Sequence, residues 1–334
     1  MASLPTGASP VDVGRASEEF ADDSTFDELP PSLIASLSSS VVDYPIEHGR
    51  RYHAYQPGVY PMPNDEYELE RLDLTHHLMV CGTGDKLYLA PLSVEKTNRV
   101  LDIGTGTGIW AIEISNVFPA AEVRGNDLSP VQPIWVPPNI KFEVADVESP
   151  WTYSAPFDFI FCRYMAGSIA NWPKLMRSIF DNVSPGGWVE FQDFDMRYHS
   201  EDGSLTDSHS TKRWIDALIG AAAKSGREPL VGPKLSGWAR DAGFQGVKEH
   251  IFTFPIGRWP KELKLREVGM INLVLILDGL EAFSLRLLCD VAGWNEDDVH
   301  ELLTNVRGEL MSSALHAQIK FHVVYGQKPL GLRV

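Results

Sequence analysis

The chain has 334 residues and a mass of 37.2 kDa, which is long enough to bury one large core or one core with a cap. Its formal net charge is -16, so its field repels phosphate backbones and anionic lipid, and nucleic acid and membrane surfaces are poor candidates for partners. The three cysteines form no CxxC pair, which argues against a zinc site or a disulfide framework.

The N-terminal composition and one long apolar stretch indicate where the protein resides. The segment MASLPTGASP lacks the basic and apolar regions of a signal peptide. The stretch GMINLVLILDGLEAFSLRLLC contains Asp278, Glu281 and Arg286, which would interrupt a membrane span. We therefore expect a cytoplasmic protein, or one that is shared between nucleus and cytoplasm.

The chain changes in character along its length. Residues 1–40 are rich in Ser, Pro, Asp and Glu, and this composition predicts a flexible acidic tail. Residues 99–200 alternate between short apolar strands and helices, which predicts an α/β fold with a parallel, doubly wound sheet. The strands are RVLDIG, AEVRGNDL, IKFEVADV, FDFIFCRY and WVEFQDF, the helices are TGIWAIEISNVFP and WPKLMRSIFDNV, and the turn SPGG precedes the last strand.

Residues 201–334 have a different pattern, in which helices predominate. STKRWIDALIGAAAKSG and PKLSGWARDAGF are typical of helices, and VKEHIFTFPIG is typical of a strand. A helical stretch follows from about Lys261 to Gln318, with a break at Gly293 and Trp294, and IKFHVVYGQKP is the last strand. We predict that this region supplies the remaining core strands as an antiparallel edge hairpin, with an inserted helical substrate cap.

The stretch VLDIGTGTGIW carries glycines at every second position after an apolar strand. A dinucleotide fingerprint would need a glycine at Ile109, and a P-loop would need a Lys that this loop lacks. Asp102 would repel a pyrophosphate but suits the ammonium and sulfonium of S-adenosylmethionine, and glycines allow the close approach of such a ligand. A turn of purely structural use is the alternative. The predicted cofactor-binding residues here are Asp102, Gly104, Thr105, Gly106 and Gly108.

Two further acids stand at the ends of the next predicted strands. Asp127 follows the glycine loop at the separation expected for an acid that binds both ribose hydroxyls, and Leu128 would lie against the adenine. Asp146 is placed to accept the adenine amino group, with help from the backbone of Val147. Because ligands bind at the carboxyl ends of parallel strands, these acids predict one site rather than separate surface charges.

With LDIGTGTGIW, NDLSP and ADVESPW, the chain resembles the class I S-adenosylmethionine-dependent methyltransferases. It is more narrowly similar to the fungal LaeA-like methyltransferases, which are related to the trans-aconitate methyltransferase group. The similarity runs from about Tyr44 to Pro329 and includes EHGRRYHAY, PNDEYELERLDLTHH, CRYMAGSIANWPKL, SPGGWVEFQDFD and HVVYGQKP. It implies a Rossmann-like sheet with strand order 3-2-1-4-5-7-6, strand 7 antiparallel, and an N-terminal helical lid at residues 41–98 that covers the cofactor. Residues 99–200 would then be the cofactor-binding core.

The lid segments and the end of the fourth strand supply further candidates. Arg50 and Tyr52 have the donors to hold the methionine carboxylate, with an ordinary loop anchor as the alternative. Arg163 and Trp172 are expected at the boundary between cofactor and acceptor. Asp193 and Asp195, at the end of the fifth strand, are too few carboxylates for a catechol-type magnesium site, and we predict no metal.

Methyl transfer is an in-line displacement in which alignment supplies most of the rate enhancement, but a hydroxyl acceptor also needs a base. The candidate catalytic bases are His53, His76 and His77 in the lid, where a histidine is as often a structural hydrogen-bonding residue. His199, just after the fifth strand, is a further candidate.

The function expected from these features is methyl transfer to a small, largely apolar acceptor, first of all O-methylation of a phenolic or secondary metabolite, with S-adenosylhomocysteine as the product. Thiol and carboxylate acceptors remain open. The rival class is a LaeA-like regulator that acts with a protein partner, and a homodimer is also open. A pericyclase that keeps the cofactor for structure alone is a third alternative. A deep apolar pocket would favour the enzyme, and a shallow cofactor face would favour the regulator.

Overall fold

The computed structural model describes residues 43–55 and 60–331, and the tail predicted for residues 1–40 lies outside them. The described chain forms a two-stranded hairpin and a seven-stranded sheet. The strands are β1 (Ile46–Glu47), β2 (Arg50–Arg51), β3 (Arg99–Ile103), β4 (Glu122–Asp127), β5 (Ile140–Val144), β6 (Phe157–Arg163), β7 (Val183–His199), β8 (Gln245–Pro255) and β9 (Gln318–Gln327).

The large sheet has the order β5-β4-β3-β6-β7-β9-β8. The pairs from β5 to β7 are parallel, and β9 runs antiparallel to both β7 and β8. When the seven strands are counted along the chain, this order is 3-2-1-4-5-7-6 with an antiparallel seventh strand. The expected fold class is therefore confirmed.

The register of the sheet brings three strand ends level. Ile103, the last residue of β3, pairs with Asn126 of β4 on one side and with Cys162 of β6 on the other. Asp127 and Arg163, the next residues of those strands, therefore flank the glycine loop that leaves β3. Connections leave in opposite directions at this point of a doubly wound sheet, which opens a crevice for a ligand.

Strand β7 is longer than the sequence pattern indicates. The SPGG segment, predicted as a turn, lies inside its bounds, and a register shift opposite Phe157 and Phe159 accommodates it. Gly186 within this segment has a φ of +81°, a conformation that favours glycine. The strand then continues beyond Phe194 to His199, which still pairs with Gln318 of β9, and this part of the strand contacts the helix that follows.

The helices surround the sheet and build a cap beside it. A turn of 3-10 helix (Gly232–Lys234) precedes the fifth helix, and a π-helical segment (Leu285–Val291) continues the sixth. The expected break at Gly293 follows that segment, where this residue has a φ of +76°. The helices are α1 (Glu66–Gly82), α2 (Ile109–Val117), α3 (Trp172–Asn182), α4 (Ser210–Lys224), α5 (Leu235–Ala242), α6 (Leu263–Ser284) and α7 (Glu296–Met311).

Three hydrophobic clusters hold these layers together. One packs α3 and α5 on one face of the sheet, and a second packs α2 on the other, where Trp110 stacks on Phe161 at 3.8 Å. The third cluster joins α4, α6 and α7 to Leu78 and Met79 of α1 and to Phe194 of β7. The N-terminal helix and the cap helices thus share one core, and they meet above the carboxyl ends of the strands.

The helical segment Leu263–Val291 has the length and the mean hydropathy, 1.7, of a helix that could cross a membrane. This resemblance concerns length and composition only. Of its most apolar window 56% is buried inside the fold, and α6 packs against α1 and β8. The segment has the surroundings of a core helix in this structure.

Candidate active site

The glycine loop joins β3 to α2 and turns tightly. Gly104, Gly106 and Gly108 have φ values of +65°, +57° and +82°, which residues with a Cβ rarely adopt. A Cβ on Gly104 would lie 2.4 Å from Sδ of Met165, and one on Gly108 would lie 2.5 Å from Cζ of Phe142. The loop therefore needs glycine both for its conformation and for the close approach of its neighbours.

A cleft lies at this end of the sheet, and its wall on the sheet side comes from the loops that follow four parallel strands. Helix α1 covers it from above with Leu72, Thr75, His76 and Met79. The cleft is lined on the sheet side by residues 102 and 104–107 at the end of β3 and just after it, 127–129 at the end of β4, 145–148 after β5, and 163–165 at the end of β6.

Asp127 is fixed at the edge of the cleft by backbone donors. The amide of Gly106 donates to its Oδ2 at 2.9 Å, and the amide of Ser129 donates to its Oδ1 at 3.0 Å. Burial raises the pKa of the Asp127 carboxyl, against these hydrogen bonds. No salt bridge within the part of the chain that the structure describes includes this carboxylate, so its remaining acceptor sites are available to hydroxyl donors in the cleft.

Asp102 and Arg163 place opposite charges on neighbouring strand ends. Asp102 is 3% exposed and accepts a hydrogen bond of 2.6 Å from Oγ1 of Thr105, and burial raises its pKa to about 7. Burial lowers the pKa of Arg163 to about 10, and Asp102 opposes that shift. No salt bridge among the described residues includes Arg163. The cleft thus contains a half-buried cation and a buried acid, both able to pair with charges on a ligand.

A second cavity, which we call the chamber, adjoins the cleft. Tyr60, Thr75, Tyr164 and Ser168 line both spaces, and we call these four residues the window. The chamber has an empty volume of about 1130 Å³ when its opening to solvent is included. Its further walls come from β7, α4 and α6 and are almost entirely apolar, and Arg71 is the one charged side chain among its described lining residues.

Comparison with known proteins agrees with this geometry. The family model described as a methyltransferase domain matches residues 82–249. A protein of Aspergillus terreus named methyltransferase pytC is 46% identical over 299 residues, which cover 89% of this chain and 92% of the relative.

The chain belongs to the S-adenosylmethionine-dependent methyltransferases of the LaeA-like family.

Two further relatives carry regulatory or protein-modifying names. The secondary metabolism regulator LAE1 of Cochliobolus heterostrophus is 32% identical over 85% of this chain and 94% of its own length. The protein-methionine methyltransferase laeA of Emericella nidulans is 34% identical over 85% of this chain and 76% of its own length. The family thus includes proteins named for regulation and for the methylation of protein methionine.

The cofactor of this methyltransferase is S-adenosylmethionine, and the cleft fits it. The bare surface at Gly104 and the opposite charges of Asp102 and Arg163 suit an amino acid zwitterion joined to a nucleoside. Gly108 does not line the cleft, because it packs under Phe142 and begins α2 in the left-handed conformation. The predicted cofactor residues that the structure does bring to the cleft are Asp102, Gly104, Thr105, Gly106, Asp127, Leu128, Asp146, Val147 and Arg163.

Asp146 and Val147 are partly engaged in their own turn. The Asp146 carboxylate accepts from the amide of Glu148 at 2.8 Å and from Oγ of Ser149 at 3.0 Å. The carbonyl of Val147 accepts from the indole N–H of Trp151 at 2.9 Å. These contacts shape the loop after β5, and an adenine amino group would use the acceptor capacity of Asp146 that remains.

Arg50 and Tyr52 do not reach the cleft. Arg50 makes a bidentate pair with Asp65, at 2.6 Å and 2.7 Å, and Asp65 is the N-cap of α1. Tyr52 is 1% exposed and lies under the guanidinium of Arg286, 4.6 Å from its ring centre. Both residues therefore anchor the lid, and the prediction that they hold the methionine carboxylate is corrected.

His76 lies in the cleft but is not arranged as a base. The Arg163 guanidinium donates to its Nδ1 at 2.7 Å, so the ring proton is on Nε2 and faces Glu113 Oε2 at 3.1 Å. Burial and the Arg163 charge lower the pKa of His76 to about 3. Its lone pair is already used to orient Arg163, which corrects the prediction of a catalytic role.

His53 and His77 also lie in positions that do not suit a base. The ring of His53 is 1% exposed and bridges the carbonyl of Tyr55, at 2.7 Å from Nδ1, and the amide of Tyr60, at 3.1 Å from Nε2. Burial lowers its pKa. His77 is exposed on the outer face of α1. His199 contacts Gln318 at 3.2 Å and lines neither cavity. The predictions for these histidines are corrected as well.

The remaining candidates have structural positions. Trp172 stacks on Trp238 at 5.4 Å within the core, so it does not line the boundary between the cavities. Asp193 accepts hydrogen bonds of 2.8 Å from the amides of Met165 and Phe194, and these contacts fix the loop after β6. Asp195 forms a salt bridge with Arg197. Within residues 43–55 and 60–331, no group of three or more His, Cys, Asp or Glu is close enough to hold a metal.

The residues at the window were not identified as site residues from the sequence. Tyr164 directly follows Arg163 in the quoted segment CRYMAGSIANW, and its φ of +60° is unusual for a residue with a side chain. Arg71 and Thr75 lie one turn apart on the lid helix α1. Their spacing in the sequence could have shown that Arg71 and Thr75 share one face of α1. It could not have shown that this face lies above the end of the fourth strand of the large sheet.

Proposed function

We propose that this methyltransferase transfers the methyl group of S-adenosylmethionine to an oxygen of a small, largely apolar acceptor bound in the chamber. The observation that carries the proposal is the window, the four residues that line both the chamber and the cofactor cleft. Apolar walls with few polar groups are typical of sites for small hydrophobic ligands. When bound, the cofactor supplies a methyl group on a positively charged sulfur.

The cofactor is expected to lie along the strand ends in a single orientation. Asp127 would accept both ribose hydroxyls, and Leu128 and Asp146 would flank the adenine. The amino acid end would meet Asp102 with its ammonium and Arg163 with its carboxylate, because each charge is stabilised by an opposite partner in a buried site. This orientation directs the sulfur toward the window.

The residues of the chain act mainly by alignment. The window sets the line between the donor sulfur and the acceptor oxygen, and the shared core of α1, α4 and α6 excludes water from that line.

The names of the relatives associate the family with fungal secondary metabolism, which supports an acceptor from that class. We propose that the protein acts in the cytoplasm or nucleocytoplasm on such a metabolite.

The second candidate is a regulatory methyltransferase that acts on a protein. The relative laeA is named for protein methionine, and Met165 of this chain lines the cofactor cleft with its thioether close to Gly104. A protein partner or a second copy of the chain would then supply or expose the acceptor. The apolar lining of the chamber favours the small-molecule acceptor.

The two candidates are separated by following the methyl group. Purified protein is incubated with S-adenosylmethionine and a panel of phenols, thiols and carboxylic acids, and S-adenosylhomocysteine and methylated products are measured by mass spectrometry. Intact-mass analysis of the protein runs in parallel. Methylated small molecules at unchanged protein mass support the enzyme, whereas a mass gain of the protein alone supports the regulator.

Replacing Arg163 with Gln is expected to weaken S-adenosylhomocysteine binding by about 10-fold to about 100-fold, because a charged hydrogen bond to the carboxylate is lost. The matched change Arg50→Gln is expected to leave the affinity nearly unchanged, since Arg50 is paired with Asp65 outside the cleft. Calorimetric titration measures both. A larger loss for the Arg50 variant would restore the original assignment of the carboxylate partner.

Cofactor affinity is expected to rise as the pH increases through about 7. Asp102 has a pKa raised to about 7 by burial, so it is largely neutral at lower pH, and an ammonium binds best to its ionised form. The groups that face Asp102 are the Thr105 hydroxyl, Arg163 and Asp127. Calorimetry at about pH 5.5 and about pH 7.5, in buffers of different ionisation enthalpy, should show proton release. An Asp102→Asn variant that kept the full pH dependence would contradict this assignment.

A further inference from the structure

Arg71 and Glu68 form a buried ion pair beside the window. Their side chains are 7% and 1% exposed, and Nε and Nη2 of Arg71 donate to the two Glu68 oxygens at 2.9 Å and 2.5 Å. The guanidinium also lies 4.7 Å from the ring centre of Phe283 on α6. One edge of the guanidinium is thus used by Glu68, and the other faces the chamber wall.

The other edge of Arg71 faces Thr75 and Tyr164. Nη1 of Arg71 donates to Oγ1 of Thr75 at 3.4 Å, and Arg71 and Tyr164 line the chamber together and interact electrostatically. A phenol can donate as well as accept, so the Tyr164 hydroxyl is able to donate to a ligand in the chamber. The backbone of Tyr164 is held by a 2.9 Å bond from its amide to the carbonyl of Gln192, and its ring packs edge-on against Phe194. The unusual φ of +60° is therefore enforced by contacts on both sides, which is common at functional sites.

Two more phenols line the same end of the chamber. Tyr60 lies near Glu68, Arg71 and Tyr164, and Tyr198 lies near Tyr164. Burial raises the pKa of the Tyr60 and Tyr198 hydroxyls, so both stay protonated at neutral pH. The polar groups here are therefore hydrogen-bond donors, and none of the histidines is placed to remove a proton.

Resting on the methyl-transfer function proposed above, we infer that the chamber binds its acceptor as an oxyanion on an apolar skeleton. The ionised oxygen is held at the window by the hydroxyls of Tyr60 and Tyr164, with Arg71 behind Tyr164. An acidic phenol, an enolised 1,3-dicarbonyl compound and a carboxylate share this chemistry. Each loses its proton to solvent before binding, so the site needs no general base.

The chemistry of the step is balanced without a proton transfer. A lone pair of the ionised oxygen forms the new O–C bond, and the S–C bond breaks with its electron pair retained by sulfur. An anion and a sulfonium thereby become a neutral methylated product and a neutral thioether. A desolvated site favours this loss of charge over the separated ions.

The pH dependence of acceptor binding should then follow the ionisation of the acceptor rather than that of a protein side chain. The ionisable groups that face the bound oxygen are Tyr60, Arg71, Tyr164 and Tyr198, with Glu68 behind Arg71. The described lining residues from α4, α6 and β9 include no ionisable side chain. Binding should therefore increase with the ionised fraction of the acceptor and then level off.

The test compares two probes of the same shape on protein saturated with S-adenosylhomocysteine. Naphthalene-2-carboxylate is expected to bind at least about 10-fold more tightly than the neutral naphthalene-2-carboxamide by calorimetry, because the donors at the window favour a charged acceptor. Tyr164→Phe and Tyr60→Phe should each reduce that preference. Glu68→Gln should strengthen carboxylate binding several-fold, since Arg71 keeps its charge while its buried counter-charge is removed, and should leave the carboxamide unchanged.

The matched control is Tyr88→Phe, because Tyr88 packs near Phe118 outside both cavities. Equal affinity for the two probes, no binding of the carboxylate, or an equal loss of both probes in Tyr164→Phe would overturn the oxyanion site. If the carboxylate is preferred but no acceptor is methylated, the oxyanion site is kept and the proposed function is rejected. If neutral alcohols are methylated and Tyr164→Phe does not change their turnover, the proposed function is kept and the oxyanion site is rejected. Turnover of naphthalene-2-carboxylate, 4-nitrophenol and 1,3-cyclohexanedione distinguishes carboxylate, phenol and enol acceptors.

Discussion

Replacing Asp127 with alanine is expected to weaken S-adenosylhomocysteine binding by about 100-fold or more while leaving the fold intact. The side chain is assigned to two ribose hydroxyls, and each hydrogen bond to a charged group contributes about 1.5 kcal/mol or more. Among the described residues no salt bridge includes Asp127, and its carboxylate accepts from backbone amides, those of Gly106 and Ser129 at 2.9 Å and 3.0 Å and that of Leu128. These amides can bond to water once the carboxylate is gone.

The stability of the variant separates a binding effect from a folding effect. Burial raises the pKa of Asp127, so its charge is costly in the ligand-free protein and its removal should not lower the unfolding temperature. The expected result is a normal unfolding temperature that no longer rises with added cofactor. The control Asp207→Ala changes an exposed acid and should keep the full rise. Wild-type affinity in the Asp127 variant would refute the ribose assignment.

Replacing Ala222 with phenylalanine is expected to abolish acceptor turnover while leaving cofactor affinity within about 2-fold. Ala222 is 7% exposed and lines the chamber from α4, at a distance from the cofactor residues at the strand ends. A phenyl ring there fills space that the acceptor needs. Overpacking a closed core costs about 1–3 kcal/mol of stability, and a side chain that enters an open chamber costs less. Turnover and calorimetry on one preparation measure both effects.

The control for this change lies on the same helix. Ala223 is exposed on the outer face of α4, so Ala223→Phe adds the same side chain without entering the chamber and should retain turnover. Full turnover by the Ala222 variant would show that the acceptor does not occupy the chamber. It would favour an acceptor that approaches the cleft from outside, as a protein substrate would.

The sequence was sufficient for the fold because each signal was local or came from the family resemblance. Alternating strands and helices indicated the parallel sheet, and the resemblance supplied the strand order that the structure has. The acids at the strand ends were also accessible, since parallel strands bring their carboxyl ends to one edge. Asp102, Asp127 and Asp146 therefore reach one cleft, as expected.

The predictions for the lid were wrong where a role depends on the partner of a side chain. Arg50 has suitable donors for a carboxylate, but Asp65 at the start of α1 uses them. His76 faces the cleft, but its lone pair is bound by Arg163, a residue remote in sequence. Neither pairing leaves a signal in one sequence, because it depends on how the lid packs over the sheet.

The chamber was not predictable in detail for the same reason. Its lining comes from the lid, the loop after β6, the end of β7 and the helices α4 and α6, which are far apart along the chain. Most apolar residues of the cap have the helical spacing of an ordinary core, and only the packed structure shows which of them leave space. The window residue Tyr164 owes its position to a backbone conformation that sequence patterns do not specify.

The central claim is that cleft and chamber form one methyl-transfer site joined by the window. The most direct measurement is a crystal structure of the protein with S-adenosylhomocysteine. We expect the ribose on Asp127, the amino acid end between Asp102 and Arg163, and the sulfur facing the window of Tyr60, Thr75, Tyr164 and Ser168. A sulfur directed away from the window, or closed off from the chamber, would contradict this claim.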